Sequence, residues 1–140
     1  MNNHHAFSHF PDGELNVYTE ENRKKLARLI MNLFSQWALD TASQLNLLGL
    51  SSTSRALLTS YKKGTKPLPN TRDLFDRAGL LLSIHKSLRI LYPKNEHIRY
   101  TWVKRKNTAF DNQTPLEIMK NQGIIGLAKI ARFLEFQRGR

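Results

Sequence analysis

Apolar residues return three and four positions apart through most of this chain. Leu26, Leu29, Ile30, Leu33, Phe34 and Trp37 form one such series, and Leu74, Ala78, Leu81, Leu82, Ile84, Leu88 and Leu91 form a second. Leu127, Ala128, Ala131, Phe133 and Leu134 make a third near the end. That spacing places side chains on one side of a helix. No segment shows the period-two alternation of a half-buried strand. The pattern predicts an all-α fold.

Local chemistry marks where the helices start and stop. Thr19 followed by Glu20 and Glu21 suits a helix start, because a hydroxyl accepts an orphan amide and carboxylates favour the positive end of the macrodipole. Asp40 is placed to cap a short second helix with Ala42, Leu45 and Leu48, which Gly49 ends. Ser51 or Ser52 then caps a third, with Leu57, Leu58 and Tyr61 inward and Gly64, Pro67 and Pro69 closing it. Asn70 or Thr71 opens the longest helix, to about Leu91, before Pro93 stops it. Its apolar surface is broader than a single stripe, so it packs centrally between the two halves or partly against a second copy. Asn95 opens a short helix with Ile98, Trp102 and Val103 inward, followed by the basic cluster Lys104, Arg105 and Lys106. Thr114-Pro115-Leu116-Glu117 reads as a capping box with proline at the first helical position. Gly123 ends that helix and a last one follows.

The chain has 140 residues, with 22 Lys and Arg against 11 Asp and Glu and a formal charge of +11. That length suits one domain or two small helical subdomains that share a core. Such a charge favours an anionic partner, nucleic acid foremost, since each phosphate neutralised releases counterions. Cysteine is absent, which excludes disulfides and thiolate chemistry and suits a reducing cytoplasm. No apolar run approaches the ~18 residues of a membrane span, so a cytoplasmic protein is expected. Residues Met1 to Tyr18 read as a flexible lead-in, and His4, His5 and His9 as solvated side chains, because no carboxylate stands at ligand spacing. His85, alone on the long helix, reads as a core or boundary residue.

The segment from Asp40 to Gly64 resembles a helix-turn-helix, whose second helix enters the major groove. Ser52, Thr53, Ser54 and Arg55 would meet base edges, and Thr59, Lys62, Lys63 and Lys66 would grip phosphates. No glycine-rich phosphate loop, nucleophile elbow or paired carboxylates are present. Gly123-Ile124-Ile125-Gly126 lacks the preceding strand of a nucleotide loop. An enzyme is therefore not expected, and no cofactor or metal is assigned.

From about Leu26 to Arg140 the chain resembles the Xre/MbcA/ParS-like antitoxins, which join a helix-turn-helix half to a toxin-binding half. The resemblance rests on Leu81-Leu82-Ser83-Ile84-His85-Lys86-Ser87-Leu88 with Tyr92-Pro93, then Trp102, Asn107 and Phe110. Thr114-Pro115-Leu116-Glu117-Ile118-Met119, Gly123 and a closing helix ending Arg138-Gly139-Arg140 follow. Asp111 stands where the family often has glycine. The resemblance implies a flexible segment over 1–18, a DNA-binding half over 19–69 and a toxin-binding half over 70–140. It further implies an antitoxin that blocks a RES-type, NAD-consuming toxin and represses its own operon. Toxin contacts are expected from Asn107, Phe110, Pro115, Leu116, Arg132, Gln137, Arg138 and Arg140, with one of the arginines entering the toxin's cleft. Two-fold operator binding requires a homodimer, expected through Leu81 and Leu88 within a larger hetero-oligomer. Alternatives are a stand-alone dimeric regulator without a toxin, and an antitoxin that binds protein only.

Overall fold

The computed structural model describes residues 19–139; the lead-in with His4, His5 and His9, and Arg140, lie outside the described residues. Six α-helices and two short 3-10 turns make up the described chain, with no strand among those residues. The helices are α1 (Glu20–Gln36), α2 (Thr41–Leu48), α3 (Arg55–Lys63), α4 (Arg72–Leu91), α5 (Glu96–Thr101) and α6 (Pro115–Arg138). The 3-10 turns are Trp102–Lys104 and Thr108–Phe110. The all-α expectation holds.

Most helix starts follow the chemistry read above. Thr19, Asp40, Thr71 and Asn95 each accept the amide three residues on, at 3.2, 2.8, 3.2 and 3.1 Å. At α6 the exchange is mutual: the Glu117 amide donates to Thr114 Oγ1 at 3.0 Å and the Thr114 amide to Glu117 Oε1 at 2.7 Å. A cap of this kind contributes about 1 kcal/mol. The third helix departs from expectation. The Ser51 hydroxyl accepts the Thr53 amide at 3.2 Å and pairs with the Thr53 hydroxyl at 2.8 Å. This local turn delays the helix until Arg55, after Ser54, whose side chain makes no capping bond.

α4 lies between the halves, packed against α1, α2, α5 and α6. Leu81, Ile84 and Leu88 on it are fully buried. This corrects the dimerisation expected through Leu81 and Leu88: the chain's own core covers both, and no second copy can reach them. The broad apolar surface of α4 is used up inside one molecule. On α1, Leu26, Ile30, Leu33 and Phe34 are buried as expected, as is Trp37 at its C-terminal cap, but Leu29 is 53% exposed.

Polar ties fasten α2 to the second half. Arg77 of α4 donates to the Leu47 carbonyl at 3.2 Å, and to the Asn46 carbonyl at 3.5 Å, while pairing with Asp73 at 2.9 Å. Asn46 Nδ2 donates to the Lys120 carbonyl of α6 at 3.4 Å. Lys104 Nζ donates to the Ala38 carbonyl, just before α2, at 2.5 Å. α6 itself is broken at Gly123 (φ 64°, ψ −141°), a conformation that side chains other than glycine strongly resist. Past the break, Gly126 lies against the Ile118 carbonyl so closely that a Cβ there would collide with it.

Two stability outcomes follow. Leu88→Ala loses about 2–5 kcal/mol in urea unfolding, with the mass by light scattering at the wild-type value. Gly126→Ala loses about 1–3 kcal/mol, read as a lowered urea midpoint at unchanged slope.

Candidate functional site

Two surfaces carry the chemistry. In the first, Thr41 and Gln44 of α2 face Arg55, Thr59 and Lys62 of α3 across an open groove of about 500 Å³, floored by Met31, Ala56 and Leu58. Leu58 and Tyr61 bury the inner side of α3, which turns its polar side to the groove. Of the residues expected to meet DNA, the structure therefore brings Arg55, Thr59 and Lys62 together. Ser52, Thr53 and Ser54 lie in the turn before α3, with the Thr53 hydroxyl engaged by Ser51. Lys63 is exposed at the end of α3, and Lys66 is exposed beyond Gly64. Thr41 and Gln44 escaped the sequence reading. Their three-residue spacing puts them on one side of α2, the side that also carries Leu45 and Leu48, and nothing local tells that they face α3.

The second surface lies along the C-terminal half. Phe110 meets Phe133 edge-on at 4.8 Å between ring centroids, and Trp102 stacks on Phe133 at 6.3 Å. Such pairs add about 0.5–1.5 kcal/mol beyond area burial. Asn107 starts the loop that presents Phe110, accepting the Ala109 amide at 2.9 Å and pairing through its backbone with Gln113. Asp111 (φ 57°) and Asn112 (φ 63°) turn that loop through left-handed backbone. Glycine adopts that region freely, and Asp and Asn are among the few side chains that tolerate it. This is why Asp111 can stand where glycine is common.

Pro115 is buried at the start of α6, and Leu116 is half-buried beside it. Arg132 is exposed, Gln137 is half-buried, and Arg138 Nη1 donates to the buried Ser87 hydroxyl at 3.3 Å. Sequence reading missed two neighbours of Arg132 on the outer side of α6. Ile125 is 70% exposed and Phe136 64% exposed, seven residues before Arg132 and four after it in the sequence. Helical spacing puts all three on one ridge, apolar at both ends and cationic between. Where α4 ends, Lys86, Arg89, Ile90, Pro93 and Arg99 line a further groove of about 550 Å³.

The family model of the antitoxin Xre/MbcA/ParS C-terminal toxin-binding domain matches residues 87–140. A relative from Sinorhizobium fredii (strain NBRC 101917 / NGR234), named uncharacterized protein y4oB, is 33% identical over 104 residues, spanning 74% of this chain and 77% of the relative. The chain belongs to the Xre/MbcA/ParS antitoxin family. The matched stretch of the antitoxin begins inside α4 and takes in the aromatic cluster, the outer ridge of α6 and the Ser87–Arg138 contact. The groove between α2 and α3 lies outside it. A toxin is thus the partner of the C-terminal half, and no helix among the described residues is long and apolar enough to cross a membrane.

His85 of the antitoxin is half-buried on α4. Burial lowers its pKa from the usual histidine range, and the cations of Arg89 and Arg99 lower it further. The folded chain therefore holds a neutral imidazole where the unfolded chain would protonate at about pH 6.5. Stability from this site is complete above that pH and falls as the pH drops through the window below it. Urea unfolding at pH 7 and pH 5 shows that loss, and His85→Asn, which cannot titrate, shows a smaller one.

Proposed function

We propose that this antitoxin holds a RES-type, NAD-consuming toxin through its C-terminal half and represses its own operon through α2 and α3. The match of residues 87–140 to a toxin-binding domain carries the first part. Support for the RES type comes from the resemblance of the residues running from Leu81 to Arg138. The mode of inhibition is binding, not catalysis. Aromatic and apolar side chains with an arginine among them are the composition of strong interface anchors, and Phe110, Ile125, Arg132 and Phe136 supply it. Asn107 and Leu116 border that surface, Pro115 sets the start of α6 beneath it, and Gln137 and Arg138 end α6 beside it; Arg140, outside the described residues, joins them on the resemblance alone. One of these terminal arginines enters the cleft where the toxin receives the pyrophosphate of NAD.

For the DNA part, the support is the groove of Arg55, Thr59 and Lys62 facing Thr41 and Gln44. An arginine can read guanine by paired donors, hydroxyls read either base class, and lysines neutralise phosphate. Ser52, Thr53 and Ser54 lead into α3 where base edges are met, and Lys63 and Lys66 extend the phosphate contacts. A two-fold operator then needs two copies with their α3 helices about 34 Å apart. The pairing surface is one other than the covered Leu81 and Leu88.

Co-expression with the product of the adjacent reading frame tests the first part. A stable complex, with cellular NAD falling when the antitoxin is omitted, is the expected result. A lone chain that binds only its promoter would instead mark a stand-alone regulator. In the complex, Phe110→Ala with Arg132→Glu weakens toxin binding by about 2–4 kcal/mol, measured by calorimetry. On DNA, Lys62→Ala with Lys63→Ala weakens binding to all duplexes alike and flattens the salt dependence, whereas Arg55→Ala changes sequence preference.

A further inference from the structure

The basic run Lys104, Arg105 and Lys106 belongs to the C-terminal half, yet neither surface described above uses it. In the fold it stands beside the start of α2. Lys104 reaches the Ala38 carbonyl, and the Asn46 side chain joins α2 to α6 at Lys120. The capping carboxylates of the two helices make the placement visible. Asp40 is held below the usual carboxylate range first by the Ser43 hydroxyl and amide, with Lys120 and Lys104 adding to it. Glu117 is held down first by the Thr114 amide, and Lys106 and Lys120 add to it. Lys104 and Lys120 therefore act on the start of α2, and Lys106 and Lys120 on the start of α6.

Each carboxylate is engaged by backbone amides at its own helix start. Lys104 and Lys106 are exposed and Lys120 is half-buried. Lysine offers a strongly hydrated point charge with no fixed geometry, which suits a phosphate row better than a base edge. When the second helix of such a pair enters the major groove, the first crosses the DNA backbone. Side chains beside the start of α2 then lie over phosphates.

We propose that Lys104, Lys106 and Lys120 form a second phosphate-gripping flank, so that the half named for toxin binding also holds the DNA backbone next to the α2–α3 groove. This rests on the DNA-binding reading above. The flank contributes affinity without sequence preference, and it stands next to the loop that carries Asn107 and Phe110. DNA and toxin would therefore meet the chain on neighbouring ground.

The test is a salt titration of the full chain on two duplexes, one from its own upstream region and one scrambled. Lys106→Gln/Lys120→Gln removes two charges from the flank and leaves Lys104, which also satisfies the Ala38 carbonyl. Lys86→Gln/Arg89→Gln removes two charges near the end of α4, where α6 also ends, and serves as the control. The slope of log K against log salt is expected to fall by about 1.8 for the flank variant on both duplexes, with the wild-type slope kept in the control and equal helicity by circular dichroism. Wild-type slopes in both variants would overturn the flank while leaving the α2–α3 reading intact. Equal losses in both variants would also overturn it, since net charge alone would then account for the effect. No binding of the wild-type chain to either duplex would overturn the DNA-binding reading itself, and the flank with it.

Discussion

The enclosure of α4 is the constraint on which the other parts depend. Leu81, Ile84 and Leu88 are sealed from solvent, and four other helices lie against this one. Its polar edge matters as much as its apolar ones. The Arg77 guanidinium reaches the Leu47 and Asn46 carbonyls where α2 ends, and a cation is favourable at the negative end of a helix. Because Arg77 is itself held by Asp73 one turn earlier, the position of α2 is fixed from α4. The orientation of the α2–α3 groove follows from that.

The two candidate surfaces divide the chemistry cleanly. Around the groove the side chains are hydroxyls, amides and cations, which suit a partner made of phosphates and base edges. Along the C-terminal half they are rings and branched aliphatics with one exposed arginine between, which suit a protein. Phe133 joins core and surface there, since it packs on Trp102 inside and on Phe110 at the margin. The loop under Phe110, turned by Asp111 and Asn112 and closed by the Asn107–Gln113 pairing, ties that ring's backbone down before any partner binds, which lowers the ordering cost of binding.

Much of the fold was legible in the sequence because it is local. The caps at Thr19, Asp40, Thr71, Asn95 and Thr114 need only a side chain and an amide three residues away, and the stops at Gly49, Gly64 and Gly123 need only a backbone conformation. The start of α3 was not legible. Ser51, Ser52, Thr53 and Ser54 all offer hydroxyls, and nothing local decides which of them forms a turn and which adjoins the helix. Periodicity also identifies buried positions without saying what buries them, so Leu81 and Leu88 were read as facing a second copy when the chain's own core covers them. Of the candidate surfaces, Arg55, Thr59 and Lys62 were legible from one helix. Thr41 and Gln44 were not, since their role arises only when α2 and α3 are set side by side. The lysines near Asp40, Lys104 and Lys120, stand 64 and 80 positions beyond it in sequence, which no local pattern records.

The ties between α2 and the second half bear on how such a chain can diversify. A chimaera that kept residues 19–63 and took its remaining helices from an unrelated protein would leave the carbonyls of Ala38, Asn46 and Leu47 without the donors that Lys104 and Arg77 now supply. The halves are thus not freely exchangeable modules. On the toxin-binding reading proposed above, new toxin specificities arise on the outward ridge of Ile125, Arg132 and Phe136, while the inward side of the same helix stays committed to the core.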